Sequence, residues 1–385
     1  MNPHKVPFVG RFSKSMATLR REDGRGLLYH MDYTADYYKL LPALNIAVNA
    51  GCSTFVTKNM KGEPVMGRNF DLRHFRDNVE TAPTDMTGLI VAVHTDNPRA
   101  KYRSVSFADA FWLDAKGGSF YEGVLDDGKK DISMALLLPF LCMDGVNEKG
   151  LAVSIMHLPT ENRWDETEYV DYESLTDIQK RSAQLLTEPG QLPDRLFYKA
   201  KSGSYAINTA DKKAWKAYKD FAVWQKDKGK KTAFHPILMR MMLDNCETVE
   251  EAIRLARTVN IKSPARDSDY HVLVADAGGS SVMLEWVNNE LKIAPAFHGA
   301  NFYLCREDRY GYGFERDAVM SAAMAKYANG MPEQTVMRTL AVAAQDCRDD
   351  SDVGFTQWSA VYNLAQHSVK LCIHMDYDTV YEYNV

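Results

Sequence analysis

Three residue types near position 52 could together perform thiol chemistry. Cys52 is followed at fixed distances by Arg68 and Asp71. A free thiol has a pKa near 8.5 and is only a few per cent ionised at neutral pH, so a neighbouring guanidinium such as that of Arg68 would stabilise the thiolate. If the bond between Gly51 and Cys52 were cut, the new α-amine, with an ordinary pKa of about 7.7 to 8.0, could relay protons while Asp71 orients it. The pattern predicts a nucleophile that carries its own base.

A β-hairpin is expected to bring these residues together. Residues 53–71 contain two strand-like segments separated by the turn residues Asn-Met-Lys-Gly. A turn at the centre of this segment places the residue that faces Cys52 near position 69. Because side chains alternate along a strand, Arg68 and Asp71 should point to opposite faces. A bend after Asn69 is therefore expected if both serve the thiol.

The motifs in and beyond this hairpin resemble those of the N-terminal-nucleophile cysteine amidases of the choloylglycine hydrolase and penicillin V acylase group. The resemblance covers roughly residues 50 to 377, with its segments in the expected order. These segments are residues 51–55 (Gly-Cys-Ser-Thr-Phe), 67–71 (Gly-Arg-Asn-Phe-Asp), 145–153 (Gly-Val-Asn-Glu-Lys-Gly-Leu-Ala-Val), 300–303 (Ala-Asn-Phe-Tyr), 313–316 (Gly-Phe-Glu-Arg) and 358–363 (Trp-Ser-Ala-Val-Tyr-Asn).

The resemblance assigns a role to five residues of this chain. It implies that Cys52 is the nucleophile, that Arg68 lies beside the thiolate and that Asp71 binds the α-amine. It also implies that Asn301 donates a hydrogen bond to the oxyanion and that Arg316 braces the site. Without Cys52, the pair formed by Arg68 and Asp71 would be read as a structural ion pair on a hairpin. Without the family pattern, Asn301 would be read as a turn cap and Arg316 as a solvated helix residue.

One position departs from the family pattern. At the end of the strand that follows the Asn-Glu-Lys-Gly turn, bile-salt hydrolases usually have Asn and penicillin V acylases Tyr, whereas this chain has His157. A neutral imidazole can still donate a hydrogen bond. His157 is thus either a substrate or oxyanion contact or a hydrogen-bonded core histidine, and the substrate class does not carry over from either branch.

Residues 1–51 are predicted to be a propeptide that covers the active site until self-cleavage removes it, and residues 52–385 to be the amidase domain. Attack of the Cys52 thiol on the Gly51 carbonyl, an N-to-S acyl shift followed by hydrolysis, would cut the chain there. Residues 23–36 are too aromatic for a disordered tail and are expected to pack against the body. Residues 40–52 also faintly resemble a lipoprotein cleavage site, with Cys52 lipidated on a non-enzymatic surface domain, but the apolar segment is short and far into the chain.

Hydrophobic periodicity predicts a mixed α+β fold. Helices are expected at residues 175–186 and as a pair at residues 236–257, and antiparallel strands at residues 88–94, 133–140, 151–158, 271–276, 281–287 and 359–364. The resemblance adds the four-layer αββα sandwich of two antiparallel sheets that N-terminal-nucleophile hydrolases share. Residues 210–231, rich in Lys and aromatics, are either a solvated helix and loop or an insertion over the pocket.

Composition is that of a soluble enzyme. The 385 residues are 45% apolar and 25% charged, and a net charge of -5 gives no reason to expect a nucleic-acid or membrane partner. Six cysteines lack the spacing of a disulfide framework, and the chain has no Cys-x-x-Cys or clustered His pattern for zinc, so no metal or cofactor is expected. Without a signal peptide the protein is expected in the cytoplasm, or outside the cell if a leader has been removed. Family relatives often form tetramers, which implies a homo-oligomer.

The predicted function is hydrolysis of a linear, non-peptide C–N amide bond in a small N-acyl substrate, through a thioester on Cys52. Acyl transfer by the same fold to an acceptor other than water is the alternative. Bile-salt conjugates, N-acyl amino acids, fatty-acyl lactones and β-lactam side chains all remain open as substrates.

Overall fold

The computed structural model describes residues 10–43, 51–72, 75–76, 79–80, 89–110, 133–159, 197–199, 205–207, 230–261, 268–287, 290–346 and 354–385. Its strands are β1 (Arg20–Arg21), β2 (Leu28–Tyr33), β3 (Gly51–Lys58), β4 (Pro64–Asp71), β5 (Phe75–Arg76), β6 (Val79–Glu80), β7 (Ile90–Thr95), β8 (Ser104–Asp109), β9 (Cys142–Asn147), β10 (Ala152–Pro159), β11 (Phe197–Lys199), β12 (Tyr205–Ile207), β13 (Lys231–Ala233), β14 (Val259–Ile261), β15 (Ser268–Ala275), β16 (Ser281–Val287), β17 (Glu290–Pro295), β18 (His298–Gly299), β19 (Asn301–Phe302), β20 (Gly311–Tyr312), β21 (Thr356–Asn363), β22 (Ser368–Ile373) and β23 (Tyr381–Asn384). Its helices are α1 (Arg11–Ala17), α2 (His235–Asn245), α3 (Val249–Ala256), α4 (Phe314–Lys326) and α5 (Glu333–Val342), with 3-10 turns at Tyr37–Ala43 and Ser133–Phe140.

Two large sheets pack face to face and carry helices on their outer sides. The larger sheet has nine strands in the order β1-β2-β7-β8-β9-β10-β15-β16-β17, and the smaller has six in the order β18-β3-β4-β21-β22-β23. Helix α2 lies on β9 and β10 of the larger sheet, whereas α4 and α5 lie on β3, β4 and β21 of the smaller one. The layers are thus helix, sheet, sheet, helix, which confirms the predicted α+β class and αββα arrangement.

The strand pairs of these two sheets are antiparallel, with one exception. Strand β2 runs parallel to β7. A parallel pair needs a crossover connection, and here the chain enters the smaller sheet as β3 and β4 between the two strands. The larger sheet is therefore mixed rather than purely antiparallel.

One predicted strand is wrong. Residues 133–140 form a 3-10 turn that contains Pro139, and the strand β9 begins only at Cys142. A short continuous apolar run does not distinguish strand from helix by periodicity, and proline disfavours a central strand. The helix pair at residues 236–257 is confirmed as α2 and α3, whereas residues 175–186 and 210–229 lie outside the described part of the chain.

The segment that precedes Cys52 is part of the core. Strand β2 lies inside the larger sheet between β1 and β7. After it, the hydroxyls of Tyr37 and Tyr38 both donate to Asp244 Oδ2, at 2.6 and 2.7 Å. The expectation that residues 23–36 pack against the body is confirmed. The fully buried side chains of residues 23–36 include Leu28, Met31 and Tyr33.

Across the residues that the structure describes, no helix combines the length and the apolar character that a membrane span requires.

Candidate active site

The predicted hairpin is formed by β3 and β4, and it places Cys52 opposite Phe70. The residue opposite Cys52 is thus Phe70, one position later than the expected 69. The turn extends to Gly62, whose φ of 81° lets the chain reverse direction between β3 and β4. Directly opposed residues share a face of the sheet, so Cys52 and Arg68 point to the same side and Asp71 to the other. The β3–β4 ladder continues regularly through Asp71, whereas the pairing of β4 with β21 shifts by one residue opposite Phe70 and Asp71.

Arg68 brings a buried positive charge to the thiol. Its side chain is 0% exposed, Nε donates to Asp144 Oδ2 at 2.8 Å and Nη1 donates to the carbonyl of Asn69 at 2.8 Å. The remaining nitrogen, Nη2, makes no hydrogen bond within the described residues. Burial raises the pKa of the Cys52 thiol, and the charge of Arg68 opposes that rise. Part of the guanidinium is therefore free to act on a thiolate.

The carboxylate that holds Arg68 comes from the other sheet. Asp144, on β9, is also fully buried, and it accepts hydrogen bonds from Trp358 Nε1 at 3.0 Å and from the hydroxyl of Tyr362. Burial raises the pKa of Asp144, whereas Arg68 and the donated hydrogen bonds lower it. This residue was not among the sequence predictions, although an Asp within the apolar strand Cys142–Asn147 is a signal of a buried charge.

On the opposite face of β4, Arg316 joins three groups of the predicted site. Its Nη1 donates to the carbonyl oxygen of Cys52 at 2.8 Å and lies 3.2 Å from Asp71 Oδ2, while Nη2 donates to Asn301 Oδ1 at 2.8 Å. The backbone N–H of Cys52 donates to the same Asn301 oxygen at 3.0 Å. Side chains distant in sequence thus hold both backbone polar groups of Cys52.

Asp71 reaches Cys52 through Arg316 rather than by a direct bond to its nitrogen. The other carboxylate oxygen, Oδ1, accepts from Thr356 Oγ1 at 2.6 Å, and that hydroxyl accepts in turn from the backbone N–H of Gln345 at 2.8 Å. Burial raises the pKa of Asp71, and the charge of Arg316 lowers it. Thr356, a second residue that the sequence did not single out, fixes the orientation of this carboxylate.

His157 lies at the open side of the site. Its backbone carbonyl accepts from Asn301 Nδ2 at 2.7 Å, and its Nδ1 lies 3.1 Å from the hydroxyl of Tyr312. Tyr312 is 39% exposed, and its ring centroid lies 5.9 Å from the Arg316 guanidinium carbon. One hydrogen of Asn301 Nδ2 is used by the His157 carbonyl, which leaves the second for another acceptor. The structure thus brings together all six residues named from the sequence.

Comparisons with known proteins find similarity of structure only. No family model matches the chain, and no curated protein matches its sequence. A variant of the conjugated bile acid hydrolase from Clostridium perfringens is similar with a TM-score of 0.47 and 10% identity, over 86% of this chain and 92% of that one. A second mutant of that hydrolase is similar with a TM-score of 0.46 and 11% identity, over 87% of this chain and 92% of that one. Penicillin V acylase from Agrobacterium tumefaciens is similar with a TM-score of 0.41 and 14% identity, over 84% of this chain and 83% of that one.

Proposed function

We propose that this protein is a cysteine amidase that cuts its own chain before Cys52 and then hydrolyses a linear, non-peptide C–N amide bond of a small N-acyl substrate. One observation carries the proposal. Cys52 is 1% exposed, with its thiol on the side of Arg68 and its backbone N–H and carbonyl held by Asn301 and Arg316. A merely structural cysteine in a strand has no use for such an arrangement.

The first step would be cleavage of the Gly51–Cys52 bond. The Cys52 sulfur attacks the Gly51 carbonyl carbon, the C–S bond forms as the C–N bond breaks, and the thiol proton passes to the released nitrogen. Water then hydrolyses the resulting thioester between Gly51 and Cys52 to give a Gly51 carboxylate, a free thiol and an α-amine. Arg68 favours the thiolate that attacks, because a positive charge next to a thiol stabilises its ionised form.

The α-amine formed in this way would be the general base. It would remain beside Asn301 Oδ1, which accepts from the same nitrogen in the uncut chain. Arg316, whose Nη1 lies 2.8 Å from the Cys52 oxygen, disfavours a second positive charge on the amine, and burial acts in the same direction. An amine that stays neutral can take the thiol proton and later return it to the leaving amine.

Asn301 would stabilise the tetrahedral oxyanion of the substrate. The bond from Nδ2 to the His157 carbonyl fixes its amide plane, so that the second N–H is preorganised for a developing negative charge. The imidazole of His157 and the hydroxyl of Tyr312, on the open side, would then contact the acyl or amine portion of the substrate. The thioester on Cys52 is finally hydrolysed by water, with the α-amine as base.

Cleavage in this fold need not release the N-terminal segment. Strand β2 and the two tyrosines that bind Asp244 are held by the body of the protein. We therefore expect residues 1–51 to remain bound as a separate chain after the cut, rather than to be removed as predicted from the sequence. The buried position of Cys52 also weighs against the lipidated alternative, since diacyl chains on this thiol would have to enter the core.

Intact mass under denaturing conditions and amine release test the proposal together. The purified protein should show two chains divided before Cys52, release amine from a member of a panel of N-acyl amides, and be labelled at Cys52 by a thiol-directed acyl probe. Cys52→Ala should stay uncut and unlabelled, whereas the matched control Cys305→Ser, at a half-buried cysteine, should behave like the parent. Amide hydrolysis by an uncut chain would refute the mechanism.

A further inference from the structure

Three potential metal ligands meet on one face of the larger sheet, away from the cysteine. Strand β2 contributes His30 and Asp32, which alternate to the same side, and the parallel register places Asp32 opposite His94 of β7. Their ligand atoms all lie within 4.8 Å of one another. Strand pairing, rather than spacing in the sequence, assembles this cluster.

The distances in this cluster are close to those of a coordination shell. His30 Nε2 lies 2.9 Å from Asp32 Oδ1 and 3.2 Å from His94 Nδ1. Zinc bonds of about 2.0–2.1 Å in a tetrahedral shell require neighbouring ligand atoms to be roughly 3.3 Å apart. Two of the three ligand pairs are therefore within a few tenths of an ångström of the required spacing.

The outer nitrogens of both imidazoles face acceptors. His94 Nε2 lies 3.1 Å from the carbonyl oxygen of Asn384, and a carbonyl only accepts, so the proton of a neutral His94 belongs on Nε2 and its Nδ1 presents a lone pair to the cluster. His30 Nδ1 lies at an ion-pair distance of 3.0 Å from Glu22 Oε1, although the angle is not that of a hydrogen bond. Carboxylate and carbonyl partners on the far nitrogen are typical of metal-binding histidines.

Metal binding selects the tautomer in which His30 carries its proton on Nδ1, toward Glu22, so that His30 Nε2, Asp32 Oδ1 and His94 Nδ1 present three lone pairs to the ion. Without an ion, the other neutral tautomer of His30 carries its proton on Nε2 and donates it to Asp32 Oδ1 at 2.9 Å. A divalent cation binds all three lone pairs at once, whereas that single proton is shared at most between Asp32 Oδ1 and His94 Nδ1.

We propose that His30, Asp32 and His94 bind one divalent transition-metal ion, and that this ion is Zn²⁺. Two imidazoles and one carboxylate form a nitrogen and oxygen donor set that suits zinc, with water in the fourth position. Arg20 binds the other carboxylate oxygen of Asp32 at 3.0 Å and leaves Oδ1 for the metal. The side chain of Asp32 is 46% exposed, which gives the ion a route from solvent.

Glu22 and Asn384 are positioning residues in this proposal. Glu22 is itself held by the hydroxyl of Tyr383, which donates to Oε2 at 2.6 Å. Tyr383 and Asn384 belong to β23 of the smaller sheet. The ion would therefore lie where the edges of the two sheets meet.

The position of the cluster suggests what the ion does. His30 and Asp32 precede Cys52 in the chain, whereas His94 follows it, so the metal would join the N-terminal segment to the body. This role, unlike metal binding itself, rests on the proposed function, because it matters most once the chain has been cut. Zn²⁺ would then hold together two chains that no peptide bond connects.

Zinc titration of full-length protein stripped with a chelator tests the proposal. Competition with a chromophoric chelator should show one equivalent of Zn²⁺ bound, which His94→Ala abolishes. Glu22→Gln should weaken binding by about 10- to 100-fold. His367→Asn is the matched control, because Asn tolerates the positive φ of 55° at that position, and it should bind as the parent does.

A second measurement separates metal binding from folding and from cleavage. Added Zn²⁺ should raise the melting temperature of the parent and not that of His94→Ala, because an ion that binds only the folded state stabilises it by mass action. If His94→Ala does not fold, Asp32→Asn takes its place. The uncut Cys52→Ala chain should bind the same equivalent, so that failure of the cleavage proposal leaves this result unchanged. A parent protein that binds no more Zn²⁺ than the variant would overturn the proposal.

Discussion

Breaking the buried ion pair between Arg68 and Asp144 should destabilise the fold strongly. Both side chains are fully buried, and Nε and Oδ2 are 2.8 Å apart. Removal of one partner of such a pair typically costs about 3–5 kcal/mol, because the other charge is left uncompensated in the interior. We therefore expect Arg68→Met and Asp144→Asn each to lower the free energy of unfolding by about that amount.

The hydrogen bonds that remain around each charge determine which single variant loses more free energy of unfolding. Asp144 keeps two donors, Trp358 and Tyr362, when Arg68 is lost, and hydrogen bonds to a charged group contribute about 1.5–3 kcal/mol each. Arg68 keeps the carbonyl of Asn69 when the Asp144 carboxylate is lost. Arg68→Met should therefore lie at the low end of the range and Asp144→Asn at the high end.

Double-mutant analysis by urea unfolding measures the pair itself. The variant with both changes carries neither charge. Its decrease in the free energy of unfolding should therefore be smaller than the sum of the two single decreases by about 2–3 kcal/mol. Additivity within about 0.5 kcal/mol would refute the reasoning, because it would mean that the two charges do not compensate each other.

The same variants should shift the reactivity of Cys52 in opposite directions. The charge of Arg68 lowers a thiol pKa that burial raises, so Arg68→Met should move the midpoint of Cys52 alkylation to higher pH. Asp144→Asn keeps the guanidinium and removes the carboxylate that competes for it, and the midpoint should move to lower pH. Peptide mass spectrometry after iodoacetamide treatment at stepped pH values reads both shifts, and a shift of the same sign in both variants would contradict this account of the site.

Three further outcomes follow from the contacts of single residues. Asn301→Ala should reduce the rate of amine release by about 100- to 1,000-fold, as loss of an oxyanion donor typically does. Initial rates are measured on the best amide of the panel. A smaller reduction would mean that Asn301 is only structural. Tyr37→Phe removes a 2.6 Å hydrogen bond to Asp244. The N-terminal fragment of the cut protein should therefore dissociate faster during gel filtration in urea. An unchanged amount of bound fragment would contradict the two-chain form. Hydrogen bonds from Asn363, Asn59 and Gln366 lower the pKa of Glu63 to about 2. Because the folded pKa is below the unfolded value, Glu63 contributes its full stability above pH 4.5 and loses it as the pH falls toward 2, so melting curves of Glu63→Gln should be less sensitive to acid over that range.

Local sequence was sufficient for the hairpin but not for its exact register. Strand propensity and turn residues predict β3 and β4, and alternation correctly separates Arg68 from Asp71. The register is offset by one residue because Asn59 Oδ1 accepts from the backbone N–H groups of Lys61 and Glu63. This side-chain contact extends the turn and cannot be inferred from a count of residues.

Long-range contacts account for what the sequence did not show. Asn301 lies 249 positions after the Cys52 nitrogen that it binds, and only the family resemblance identified it. Asp144 and Thr356 were missed because each acts across a sheet or between strands, where no local period exists. The parallel pairing of β2 with β7 was equally unpredictable, since the strands are separated by a hairpin of the other sheet.

The position of the proposed cut is consistent with a two-chain product. Strand β2 belongs to the larger sheet and β3 to the smaller one, so the chain passes from one sheet to the other before it reaches Cys52. A cut after Gly51, the first residue of β3, leaves residues 52–58 paired with β4 and leaves β2 paired with β7. The nucleophile can then become a chain terminus at the start of β3 while β2 stays in the core, and the site gains an α-amine without the loss of a strand.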